Sequence, residues 1–135
     1  MFGMEIGTVI KVFLTETKPP KEKRLIVIGE SFDKLLLATV FINSEINVNV
    51  FRTQELKDLN VLLEAKNRNY LRHDSYVDCS KIFVRNKQMI STIIEKDPLR
   101  ILGSISQEDY LLLRHKIKTA KTISAAKKKE FGLFL

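Results

Sequence analysis

A chain of 135 residues, 44% of them hydrophobic, is long enough to bury a core of its own, and its single cysteine, Cys79, excludes an intrachain disulfide. No stretch approaches the ~20 consecutive apolar residues of a membrane-spanning helix. Net charge is +7, from 23 basic and 16 acidic residues, which favours partners that carry phosphate groups, or an acidic protein.

One unpaired cysteine points to a reducing compartment, so a cytoplasmic location is expected. Met1 to Lys11 has neither a basic n-region nor a long apolar run, so no signal peptide is expected there. The basic charge is clustered. No acid falls between Asp109 and Glu130, an interval that holds Arg114, Lys116, Lys118, Lys121 and Lys127 to Lys129. A second cluster is Lys18, Lys21, Lys23 and Arg24, offset only by Glu22, and a third is Lys66, Arg68 and Arg72. Such clusters make a binding surface only where the fold brings them together.

In chain order, Gly7 to Leu14 reads as a strand of β-formers. Thr15 to Lys23 reads as a charged loop broken by Pro19 and Pro20. Leu25 to Ile28 is a continuous apolar run inside a strand from Arg24 to Gly29, the pattern of a strand buried on both faces. Residues 29–34 read as a turn and Leu35 to Ile46 as a long β segment, with Asn47 to Phe51 either continuing it or opening a loop. Thr53 to Leu59 tolerates helix, and Asn60 to Lys66 alternates as a strand before the turn residues Asn67 to Asn69.

Ser75 to Val84 reads as one strand, with Ser75, Val77, Cys79 and Phe83 on one face and Tyr76, Asp78, Ser80 and Ile82 on the other. Met89, Ile90, Ile93 and Ile94 have helical spacing, so a helix is predicted over residues 86–96, with Pro98 ending it. Ile101 to Ile105 is a short last strand. Ser106, with Asp109 three residues on, opens a C-terminal helix whose apolar line is Tyr110, Leu113, Ile117 and Ala120. That helix is expected to fray after Ala126, and the apolar end, Phe131 to Leu135, to pack on the domain or meet a partner. Strands followed by a terminal helix argue for a β-rich α+β fold, a small bent antiparallel sheet or barrel.

The order of these segments resembles the MazF/PemK toxins. The strand Lys23 to Ile28 is similar to that family's basic-Arg-hydrophobic strand, and Phe41 to Ile46 to its apolar-Thr-Ser segment. Asn60 to Lys66, then Tyr70 to Ser75 with the pair Asp74-Ser75, then Tyr76 to Ile82, follow in the family's order, and Ile105-Ser106 leads into the last helix. The resemblance spans residues 5–122, within a domain at 1–122 followed by a basic and apolar tail at 123–135. It implies an SH3-like antiparallel β-barrel with a C-terminal helix, a homodimer, a cognate acidic antitoxin as partner, and cleavage of single-stranded RNA without metal by attack of the ribose 2′-OH on the adjacent phosphate.

The resemblance also implies site residues. Arg24 matches the family's arginine on the second strand, where a guanidinium would bind two oxygens of a phosphorane-like transition state. Asn43 and Ser44 fall where the family has a threonine and its neighbour, so the threonine itself is replaced. Glu22 stands near the place of the family's acid-base glutamate, off the usual spacing. Lys18, Lys21, Lys23, Arg72, His73 and Lys81 are the expected RNA contacts. His73 is the one titratable side chain among them that works as acid or base near neutral pH. The two histidines and Cys79 have no metal-ligand spacing, and no Gly-rich phosphate loop or nucleophile elbow is present, so no metal or cofactor is expected. Cys79 reads as a core residue. The alternative reading is a catalytically silent RNA- or protein-binding module on the same barrel.

Overall fold

The computed structural model describes residues 4–135. The first three residues of the Met1 to Lys11 stretch, which also begin the 1–122 segment, lie outside the described residues. The strands are β1 (Thr8–Leu14), β2 (Lys21–Glu30), β3 (Leu36–Asn43), β4 (Asn60–Leu63), β5 (Ser75–Asp78), β6 (Phe83–Asn86) and β7 (Ile101–Ser104). The helices are α1 (Gln54–Lys57), α2 (Lys87–Lys96), α3 (Gln107–Thr119) and α4 (Ala125–Glu130). The strands form one antiparallel sheet in the order β4-β5-β3-β2-β1-β7, with β6 also paired to β3. It curls into a half-barrel, a β-rich α+β fold as expected.

Burial on both faces makes this sheet. On β2, Ile26 and Ile28 join Val9, Val40 and Ile42 in one core cluster, while Leu25 and Val27 join Ile10, Val12 and Leu37 in the other. Leu113 and Ile117 of α3 cover the first face, and Ile90 and Ile94 of α2 cover the second. Each fully buried Ile or Leu contributes roughly 1.5–3 kcal/mol of transfer free energy. The uninterrupted apolar run of β2 is thus the signature of a strand between two layers. Side-chain caps start the helices: Asn86 accepts from the Met89 N–H and Ser106 from the Asp109 N–H, each at 3.0 Å.

Four local expectations are corrected. First, β2 begins at Lys21, immediately after Pro20. Lys21, Glu22 and Lys23 pair with Leu14, Phe13 and Val12 instead of forming loop, so Arg24 is the fourth residue of the strand. Second, Ser75 to Val84 is two strands. The Asp78 carboxylate accepts from the Ser80 N–H at 2.9 Å and the Ser80 hydroxyl at 2.5 Å, a local turn that competes with the ladder. After it Ile82 points into the core with Val77 and Cys79, and Phe83 lies on the opposite face. Third, β3 stops at Asn43, short of the expected Ile46; residues 47–51 take the loop alternative, a turn in which the Val50 and Phe51 N–H groups donate to the Asn47 carbonyl.

The fourth correction is at the C-terminus. The last helix does not run on to fray at Ala126: α3 stops at Thr119, and Ser124 caps a new helix, α4, by accepting from the Lys127 N–H at 3.1 Å. Phe131 and Leu133 are then buried in the larger core cluster with Ile123, while Phe134 and Leu135 stay exposed. The apolar terminus packs on the domain.

Candidate functional site

Side chains alternate along β2, so Lys21 and Lys23 face one way and Glu22 and Arg24 the other. Arg24 pairs with Ile42 on β3, and one residue further β3 leaves the ladder. That strand end presents Asn43 and Ser44. The chain from 64 to 74, turned by the left-handed Asn67 (φ 65°), brings Arg72 and His73 to the same place. The result is a polar cleft of about 120 Å³ lined by Glu22, Lys23, Arg24, Asn43, Ser44, Arg72 and His73, with Leu71 and Ser75 behind.

Two cationic groups of the cleft are constrained by burial. The Arg24 Nε is buried and has no hydrogen-bond partner among the described residues. It is an unsatisfied donor on a residue that lines the cleft. The Lys23 ammonium donates to the Ile42 carbonyl at 3.3 Å and to Asn43 Oδ1. Burial, with the neighbouring Lys21 charge, pushes the Lys23 ammonium below its ordinary range, against the pull of Asp78.

His73 is exposed, with Nδ1 3.0 Å from the Asp74 carbonyl and 3.3 Å from the Ser75 hydroxyl. The Asp74 and Ser75 contacts both fall on Nδ1, which leaves Nε2 facing away from them. Glu22 borders the cleft, but its carboxylate is taken by Arg100, whose Nη1 lies 3.1 Å from Oε2 and also donates to the Lys11 carbonyl at 3.0 Å.

Of the remaining basic residues named from the sequence, Lys21 lines an adjoining cleft with Lys23, and exposed Lys81 sits over the Phe83 ring. Lys81 also shares a groove with Lys127. Lys18 is exposed in the turn before β2, apart from the lining of either cleft beside Lys23. Three of the clustered cations serve the fold. Arg68 is neutralised by Asp109, Arg114 donates to the Gly132 carbonyl at 2.8 Å, and Lys128 caps the end of α3 through the Lys118 and Ala120 carbonyls, each at 2.8 Å. Cys79 is fully buried, and desolvation pushes its thiol up to about 12, so it is a core side chain and no nucleophile.

Sequence reasoning passed over Phe41, Phe83 and Arg85. The two rings stack beside the cleft, and Arg85 lies over Phe83 while pairing with Glu16. Phe41 and Phe83 were visible only as aromatic residues on segments read as ordinary strands, and Arg85 lay just beyond the segment 75–84 with no pattern to mark it. Among the described residues no group of three or more His, Cys, Asp or Glu side chains is placed to hold a metal ion, and no helix is long and apolar enough to cross a membrane. No known protein family matches the chain, and no curated protein matches it either.

Proposed function

We propose that the chain is a metal-independent endoribonuclease of the MazF/PemK toxin type, acting on single-stranded RNA, with its half-barrel corresponding to that family's SH3-like barrel. One observation carries the reading. Arg24, Asn43, Ser44, Arg72 and His73, drawn from three separate chain segments, line a single cleft with Lys23. In the reaction the ribose 2′-oxygen bonds to the adjacent phosphorus and the bond from phosphorus to the 5′-oxygen breaks. The products are a 2′,3′-cyclic phosphate and a free 5′-hydroxyl. Arg24 and Lys23 would hold the phosphoryl oxygens as charge grows on them. Asn43 and Ser44 would orient the phosphate. His73 Nε2 would take the 2′-OH proton, and the departing 5′-oxygen would take a proton from water in the open cleft, so the 5′-hydroxyl forms as the bond breaks.

Pairing of two copies, and capture by an acidic antitoxin that covers the basic cleft, belong to the same proposal. A second reading, a catalytically silent RNA- or protein-binding module, is favoured by the engagement of Glu22 with Arg100, which occupies the carboxylate nearest Arg24 in the chain. End-group analysis of RNA treated in excess EDTA separates the two. Cyclic phosphate and 5′-hydroxyl ends support the nuclease, and intact RNA that remains bound supports the module.

A further inference from the structure

A larger cleft of about 470 Å³ adjoins the phosphate cleft and shares Lys23, Asn43 and Ser44 with it. It lies on the sheet face that carries Phe41 and Phe83. These half-buried rings stack with centroids 4.1 Å apart and planes 8° apart. Cations surround them: Lys23 Nζ is 5.2 Å from the Phe41 centroid, and Lys81 Nζ and Arg85 Cζ are 5.2 and 5.6 Å from that of Phe83. A partly open aromatic pair set among cations is the composition that holds single-stranded nucleic acid, rings against bases and charges along the backbone. Lys81 is exposed, so its ammonium is free to leave the ring for a phosphate when a base arrives.

Two polar groups at the rim have unused hydrogen-bonding capacity. Asp78 follows Val77, the partner of Ile42, so it flanks Phe41 on the same face. Its Oδ1 takes both bonds from Ser80, and its Oδ2 has no partner among the described residues. Asn43 receives Lys23 through Oδ1, which leaves its amide N–H groups as donors. A carboxylate oxygen accepts from an exocyclic amino group and repels a carbonyl. We infer that this cleft takes the nucleobase next to the bound phosphate, and that Asp78 selects an amino-bearing base, such as cytosine or adenine, over uracil. The inference rests on the RNA reading above.

The test is a fluorescence titration at low salt with uncleavable 2′-O-methyl oligo(C), oligo(A) and oligo(U), and a base-free oligomer of the same backbone and length. Oligo(C) and oligo(A) should bind about tenfold tighter than oligo(U), and all three tighter than the base-free chain. Asp78→Asn keeps an oxygen for Ser80 and turns the free acceptor into a donor, so it should move the preference towards oligo(U). Phe83→Leu keeps apolar bulk but loses the ring, and should narrow the gap between RNA and the base-free chain. If cytosine and uracil oligomers bind wild type equally and Asp78→Asn leaves their ratio unchanged, the base selection is wrong. If the base-free chain binds as tightly as RNA, the base cleft is wrong while the phosphate cleft stands. If nothing binds at low salt, the RNA reading falls and the base cleft falls with it.

Discussion

Arg68 and Asp109, 41 residues apart in the chain, close a two-pronged ion pair: Arg68 Nε donates to Asp109 Oδ2 and Nη2 to Oδ1, each at 2.9 Å. The carboxylate is 8% exposed and the guanidinium side chain 27%. The pair ties the turn after β4 to the first turn of α3, where a negative charge also suits the helix dipole. Contact with Asp109 in turn holds the Arg68 guanidinium even more firmly protonated than usual. Asp109→Ala is expected to cost about 2 kcal/mol, below the ~3–5 kcal/mol of a fully buried pair because Arg68 can turn to water. Urea unfolding of both single variants and of the double variant with Arg68→Ala checks this, and the two losses should be smaller together than their sum.

Gly29 marks where the C-terminal segment is held. A Cβ built there would lie 2.9 Å from the Phe131 carbonyl oxygen and 3.1 Å from the Phe131 Cβ. Gly29→Ala should therefore destabilise by about 1–3 kcal/mol through overpacking. Removing residues 131–135 should cost more, because Phe131 and Leu133 leave the core with them. Thermal melts of the two variants give the order.

Cys79 carries a pH signature. Burial raises its thiol pKa to about 12 in the folded chain, against about 8.5 when unfolded. A group raised on folding contributes stability that is complete below the unfolded value and is lost as pH climbs through the folded one. Stability attributable to Cys79 should thus fall between about pH 8.5 and 12, and Cys79→Ala should flatten that part of the profile. A thiol reagent at pH 8 should label the native protein far more slowly than the unfolded chain.

Binding to single-stranded RNA should be steeply salt-dependent. With Lys21, Lys23, Arg24 and Arg72 each meeting one phosphate, the plot of log affinity against log salt should slope near −3, from about −0.7 per contact. Arg72→Ala should lower the slope by about one contact and leave any base preference in place. An affinity indifferent to salt would remove the nucleic-acid reading.

Patterns that repeat were legible in the sequence, and patterns that a single side chain interrupts were not. Leu25 to Ile28 declared a doubly covered strand because every position is apolar, and Ser106 with Asp109 declared a helix start. The break between Asp78 and Ile82 was hidden, since Asp78, Ser80 and Lys81 sit comfortably in a strand by propensity alone. It depends on a carboxylate that finds Ser80. That break is why Phe83, assigned by alternation to the face of Val77, instead stacks on Phe41 beside Asp78. The segment order singled out Arg24, Asn43 and Ser44, and these three line one cleft. The long-range pairing of Glu22 with Arg100, 78 residues away, was not legible.

Cleavage of a mixed-sequence RNA in excess EDTA by wild type, Arg24→Ala and Arg24→Lys measures the proposed chemistry most directly. Arg24 should stabilise the charge developing on the phosphoryl oxygens, so its loss should slow cleavage on the order of a hundredfold or more. Lysine should rescue only in part, because an ammonium keeps the charge and loses the planar fork. Melting temperatures of the three proteins should stay close, since the buried run Leu25 to Ile28 is untouched. Cleavage by Arg24→Ala at the wild-type rate would contradict the assignment of the site, and a wild type that binds RNA without cutting it would leave the cleft as a binding module.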